Sequence, residues 1–114
     1  MSPEHPSWSI LPGDFTGLVE RQWPGSTARL VSYFGASVEL EVPMPHSLIW
    51  GELNDRGQVF TFDGDLRDVA ALAVWLRTLV PPEHPLIFCD EAYTHDLPLR
   101  PETTPEDILR AFEI

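Results

Sequence analysis

Ser37-Val38-Glu39-Leu40-Glu41-Val42 decides the fold class of this chain. Aliphatic side chains alternate with a hydroxyl and two carboxylates, and successive side chains of an extended strand point to opposite faces. The stretch reads as a half-buried strand, with Val38, Leu40 and Val42 toward a core and Glu39 and Glu41 toward water. Immediately upstream, Arg29 to Phe34 is rich in β-formers and Gly35 supplies a turn, which makes the pair a hairpin. Two registers stay open, one pairing Tyr33 with Val38 and Val31 with Leu40, the other pairing Phe34 with Val38 and Leu30 with Val42. Downstream, Leu48–Leu53 and Gln58–Phe62 flank Asn54-Asp55-Arg56-Gly57, a loop composition that reverses the chain. In that register Ile49 faces Phe62 and Gly51 faces Phe60, which leaves Trp50 on the opposite face. The four strands are expected in one antiparallel sheet.

Helices surround this block. Phe15, Leu18, Val19 and Trp23 fit one helical face from Phe15 to Trp23, with Asp14 as N-cap; Gly17 interrupts it, and an extended segment is the alternative. Trp23-Pro24-Gly25-Ser26 is a turn. The longest helix is expected from Leu66 to Val80, with Asp65 as N-cap and Asp68 in the first turn, where a carboxylate favours the helix dipole. Its stripe of Val69, Leu72, Ala73, Leu76, Leu79 and Val80 is expected to pack on the sheet, and Trp75 lies at the margin. Pro81-Pro82 ends it. Leu86 to Cys89 reads as a buried strand, paired with Thr94 to Leu99. Thr104 as N-cap, Pro105 at the first helical position and Glu106 and Asp107 in the first turn start a last helix, docked by Ile108, Leu109, Phe112 and Ile114. The expectation is one α+β domain over residues 1–114: a mainly antiparallel sheet of four to six strands, one long helix packed on a face, and a short C-terminal helix. Residues 1–14 are Pro- and Ser-rich and read as irregular, with Trp8, Ile10 and Leu11 able to pin them to the body.

Charge bounds the function. The chain carries 18 acidic residues against 7 basic ones, all arginine, for a net charge of -11 on 114 residues. Nucleic acid and anionic membranes repel such a surface, whereas a basic protein attracts it. With 43% hydrophobic and 11% aromatic residues the composition is that of a folded protein rather than a disordered acidic tail. Cys89 is the single cysteine, so no disulfide forms within the chain. Met1 to Pro6 lacks the basic and apolar regions of a signal peptide, and no apolar run is long enough to span a bilayer, so a soluble cytoplasmic protein is expected; the sequence leaves its oligomeric state open, with a monomer favoured.

The densest polar cluster is Asp90-Glu91-Ala92-Tyr93-Thr94-His95-Asp96. Carboxylates beside a histidine can serve as acid, base or metal ligands, but this spacing matches no catalytic or metal motif, and a solvated turn is the simpler reading. His5, His46, His84 and His95 are scattered. Cys89, inside Leu-Ile-Phe-Cys, reads as a small buried hydrophobe. No phosphate-cradling glycine loop or nucleophile elbow is present. The expectation is therefore no catalytic residue, no metal and no cofactor. Trp50, off its strand's apolar face, and Trp75, at the edge of its helix stripe, are the candidate anchors of a protein interface, unless other segments cover them.

Leu72-Ala73-Val74-Trp75-Leu76 on a helix is followed by Pro81-Pro82, by Leu86-Ile87-Phe88-Cys89-Asp90-Glu91-Ala92-Tyr93, and then by Leu97-Pro98-Leu99-Arg100-Pro101 and Thr103-Thr104. This arrangement resembles small acidic immunity proteins encoded beside bacterial polymorphic or contact-dependent toxins. The resemblance implies a cytoplasmic α+β protein that binds a cognate toxin domain and blocks its active site or substrate entry, without enzymatic activity. Independently, a basic toxin cleft would steer an acidic partner. Asp90, Glu91, Tyr93 and Asp96, with Trp50 or Trp75, form the expected contact surface. The alternatives are an adaptor or secretion-chaperone-like binding protein, a nucleic-acid mimic, and a small hydrolase built on Asp90, Glu91, His84 and His95.

Overall fold

The computed structural model describes residues 9–33, 35–57, 59–89 and 96–112. The chain divides into two compact units, Met1–Asp65 and Leu66–Ile114. The first unit runs α1 (Pro12–Gln22), β1 (Thr27–Tyr33), β2 (Ala36–Pro43), β3 (Leu48–Asn54) and β4 (Phe60–Asp63). The second runs α2 (Leu66–Leu79), β5 (Ile87–Cys89), β6 (Asp96–Pro98) and α3 (Pro105–Phe112). The α+β class is as expected. The six strands, however, form two sheets, β1-β2-β3-β4 and β5-β6, rather than one.

In the first unit β2 behaves as its alternation demands. Ala36, Val38, Leu40 and Val42 are buried, and Glu39 and Glu41 lie on the other face. Across from it on β3, Ile49 and Leu53 are buried too, paired with Val42 and Val38. The helix α1 starts earlier than its apolar pattern suggested: Pro12 takes the first helical position, where its missing N–H costs nothing, and Leu11 is the cap residue. Asp14 therefore sits in the first turn instead of capping. Phe15 and Val19 are fully buried, and the Phe15 ring packs on Phe60 of β4 with centroids 5.3 Å apart. A turn through Pro24-Gly25 returns the chain into β1, with the Ser26 N–H donating to the Trp23 carbonyl at 3.1 Å.

Neither expected register of the first hairpin occurs. Arg29 pairs with Glu39 and Leu30 with Val38, while Tyr33 pairs with Ala36 across the reversal. The register shifts between Leu30 and Tyr33, so Val31 and Ser32 share the space opposite Ser37, a bulge that sequence alternation does not reveal. The second hairpin also differs, by two residues: Gly51 pairs with Phe62 and Leu53 with Phe60. Asn54 causes it. Its backbone N–H donates to the Val59 carbonyl at 2.9 Å and its side-chain oxygen accepts the Val59 N–H at 3.0 Å, so Asn54 extends the strand instead of opening the loop. A slip of two keeps each side chain on its face.

Two glycines are fixed by close approach. A Cβ on Gly51 would meet the Phe62 ring at 2.5 Å, so the phenyl group lies directly over the glycine and takes the place of its missing side chain. Gly57 has φ +70°, and a Cβ there would meet the Ile10 carbonyl oxygen at 2.4 Å. The Gly57 carbonyl accepts the Ile10 N–H at 3.0 Å, which pins the segment before α1 to the second hairpin.

In the second unit, Ala70, Ala73, Leu99 and Ile108 form the core, with Leu86, Phe88, Leu97 and Phe112 packed around it. α3 begins at the expected residue. The Thr104 hydroxyl accepts the Asp107 N–H at 3.2 Å, and Asp107 accepts the Thr104 N–H at 3.0 Å, a reciprocal cap. Phe112 meets Phe88 edge-on at 5.0 Å. Arg77, buried near the end of α2, donates to the carbonyls of His84, Val80 and Pro81, which closes the helix and holds the proline-rich turn after it. Cys89 corrects its expected burial. β5 and β6 form a two-stranded ribbon with one covered face, so Leu86 and Phe88 turn inward while Ile87 and Cys89 are exposed. Ile114 and Trp8 lie outside the described residues.

Gly57→Ala is expected to destabilise the protein by about 2–3 kcal/mol, since it combines a left-handed backbone with a clash against main chain. Gly17→Ala, inside α1 where a Cβ meets nothing within 4 Å, is expected to stabilise by about 0.5–1 kcal/mol. Urea midpoints of the two variants check both signs; equal midpoints would remove the assigned role of Gly57.

Candidate functional site

The outward face of the four-stranded sheet gathers most of the chemistry of the first unit. Arg29 on β1, Glu39 and Glu41 on β2, Trp50 and Glu52 on β3, and Thr61 and Asp63 on β4 share this face because each pairs with the next across the strands. Cross-strand partners on one face lie close enough for their side chains to interact.

Two groups of carboxylates differ in what they touch. Glu39 and Glu52 stand directly opposite each other, a like-charge juxtaposition that would repel. Tyr33 resolves it: its hydroxyl lies 2.7 Å from Glu39 Oε2 and 3.0 Å from Glu52 Oε2 and shares its one proton between them. Arg29 forms an ion pair with Glu39 from the other side. The Tyr33 hydroxyl and, after it, the Arg29 guanidinium hold the Glu39 carboxyl below its ordinary range. Conversely, donation to Glu39 is the main cause that pushes the Tyr33 phenol well above its usual value.

The second group surrounds Trp50. Glu41 is its partner on β2 and Asp63 its partner on β4, so a carboxylate flanks the indole on each side. Trp50 is 40% exposed. One pair farther along the same face lie Pro43 and Leu48, with Leu48 57% exposed. The result is a short apolar ridge bordered by acid. Among the described residues neither Glu41 nor Asp63 forms an ion pair.

The other residues marked by the sequence are dispersed. Asp90, Glu91, Tyr93 and His95 lie outside the described residues. Asp96 is exposed on β6, opposite Cys89. Trp75 is half-buried on α2, and its carbonyl accepts the Thr78 hydroxyl. His84 is half-buried in the turn after α2, its carbonyl held by Arg77. A cavity of about 390 Å³ in the second unit is walled by Pro82, Pro85, Ile87, Pro98 and Pro101, with Glu83 and Arg100 at its lining. No group of three or more His, Cys, Asp or Glu among the described residues is placed to hold a metal ion, and no described helix is long and apolar enough to cross a membrane. Sequence reasoning marked Trp50 from strand alternation but missed Glu41 and Asp63 as its neighbours. Only the true register of β4 shows Asp63 beside it.

The chain matches no known protein family, no curated protein and no solved structure.

Because Glu39 titrates below its ordinary value in the folded protein, its stabilising contribution is complete above an ordinary carboxylate pKa of 4.5 and disappears as the pH falls through the depressed folded value. Tyr33 acts with the opposite sign. Its contribution is complete below the ordinary phenol pKa of 10.0 and disappears as the pH rises through the elevated one. Tyr33→Phe is expected to move the Glu39 carboxyl upward toward its ordinary value while the Arg29 ion pair remains. Side-chain carboxyl NMR titration measures this, and an unchanged Glu39 curve would show that the hydroxyl does not donate to it in solution.

Proposed function

We propose that this chain is a non-enzymatic inhibitor of the immunity type, which binds and neutralises a cognate basic toxin domain by covering its active site or substrate entry. The observation that carries the reading is the outward sheet face: an exposed Trp50 and Leu48 ridge within carboxylates, on a chain of net charge -11. Interfaces draw their affinity from a few aromatic anchors and their association rate and register from charge. Such a face has both elements. Its carboxylates steer a basic cleft toward it, and the apolar ridge supplies area to bury once water is excluded. Asp90, Glu91, Tyr93 and Asp96 belong to the proposed contact set by their charge, with Trp50 or Trp75 as its anchor. A cytoplasmic site of action follows from the same reading, since an inhibitor of this type protects the cell that makes its partner.

The reading is tested with the product of the adjacent reading frame. Co-expression is expected to rescue growth from that product, and the purified pair to associate with an on-rate that falls about tenfold between low and physiological salt. Trp50→Ala is expected to raise the off-rate about 30-fold, corresponding to about 2 kcal/mol of anchor energy. Charge reversal at Glu41 and Asp63 is expected to slow association, and reversal at Asp90 and Glu91 to slow it and reduce its salt dependence; an unchanged on-rate at low ionic strength removes Asp90 and Glu91 from the contact set. A pair that forms with salt-independent kinetics, or a chain that neither binds nor neutralises its neighbour's product, defeats the proposal.

A further inference from the structure

We infer that the outward sheet face docks its partner through an arginine, whose guanidinium lies on the Trp50 indole between Glu41 and Asp63; the identity of that partner rests on the inhibitor reading above. The row Glu41, Trp50, Asp63 is set by pairing across three adjacent strands. With strands about 4.8 Å apart, the two carboxylate-bearing backbones lie about 10 Å apart with the indole midway. The face of an indole carries negative potential. Two carboxylates beside it place three electron-rich groups side by side, and among the described residues neither carboxylate forms an ion pair, whereas Arg29 is committed to Glu39 and Arg110 to Asp107. The contrast with the adjacent group is informative. Glu39 and Glu52 are reconciled internally by Tyr33 and Arg29, whereas Glu41 and Asp63 are not.

The chemistry that satisfies all three at once is a flat cation. A guanidinium stacks on an aromatic face and directs N–H donors outward in its own plane, toward both flanking carboxylates. An ammonium has no plane to stack and is more strongly hydrated, so it gains less from the indole. The apolar ridge through Leu48 and Pro43 continues from Trp50 along the same face and suits the aliphatic stem or an apolar neighbour of that arginine. The occupant is therefore an arginine presented by a basic protein surface, not a lysine-rich tail and not a metal ion.

The test needs no partner. Tetra-arginine amide and tetra-lysine amide, matched in charge, are titrated into the full chain while the Trp50 indole N–H resonance is followed by NMR. Tetra-arginine is expected to shift that resonance saturably and to bind at least threefold more tightly than tetra-lysine. The double variant Glu41→Gln, Asp63→Asn is expected to weaken binding about tenfold without lowering the thermal midpoint, and Trp50→Leu to abolish the arginine preference. Glu102→Gln, an exposed carboxylate of the second unit, is expected to bind as the parent does. An indole resonance that does not move, equal affinity for the two peptides, or full binding by the double variant overturns the inference. The two proposals fail separately. Capture of tetra-arginine by a chain that neutralises no neighbouring product supports the arginine site and removes the inhibitor reading; a neutralised product without capture at Trp50 does the reverse.

Discussion

The two-sided strand β2 is the constraint on which the first unit depends. Val38, Leu40 and Val42 must leave water together, and because they alternate with Ser37, Glu39 and Glu41, burial of one set forces the other onto the opposite face. Each inward side chain contributes on the order of 1.5–3 kcal/mol when fully covered, whereas an exposed carboxylate costs little where it stands. β1 and β3 then inherit their faces from β2. Ile49 and Leu53 join the core opposite Val42 and Val38, while Trp50 and Glu52 have nowhere to go but outward. Trp50 is thus exposed for the same reason that Leu40 is buried.

What could be read from the sequence divides along the range of the interactions involved. The cap at Thr104 and Pro105, the strand at Val38 to Val42 and the helix from Leu66 were legible because each rests on contacts within a few residues. Registers were not. The bulge after Leu30 depends on where β1 meets β2, and the two-residue displacement of β4 depends on Asn54 hydrogen-bonding with Val59 rather than opening the loop. The exposure of Cys89 escaped for a related reason. An apolar run of four residues looks alike whether a strand is covered on two faces or on one, and only the pairing of β5 with β6 alone distinguishes them. Of the outward face, Trp50 could be marked from alternation, but its place beside Asp63 could not.

The acidity of the chain is likewise not one property. Glu39 is held by a phenol and a guanidinium, and Asp107 is held by the backbone and hydroxyl of Thr104 and by Arg110; both titrate below the ordinary range for that reason. These carboxylates serve folding. Much of their charge is offset locally, so they add less to the long-range field than a count of residues suggests. The carboxylates without such partners contribute the steering potential that a basic molecule meets at a distance.

A sheet selected only for stability would not place tryptophan at the center of its wet face between two acids. The indole returns its large hydrophobic gain only when covered, and at 40% exposure much of it remains in water. Threonine or valine would pair as well across β2 and β4 and expose less apolar surface. Replacing either flanking carboxylate by a neutral side chain would also relieve repulsion within the free chain. Natural sequences depart from local consistency chiefly where function requires it. The departure here has a definite chemical content: an apolar plane, two unneutralised acids, and rigid strands that hold them in a row. That preorganisation matters to affinity because the row requires no rearrangement before a planar cation arrives. The interaction missing from the isolated chain is the one that a basic partner would supply.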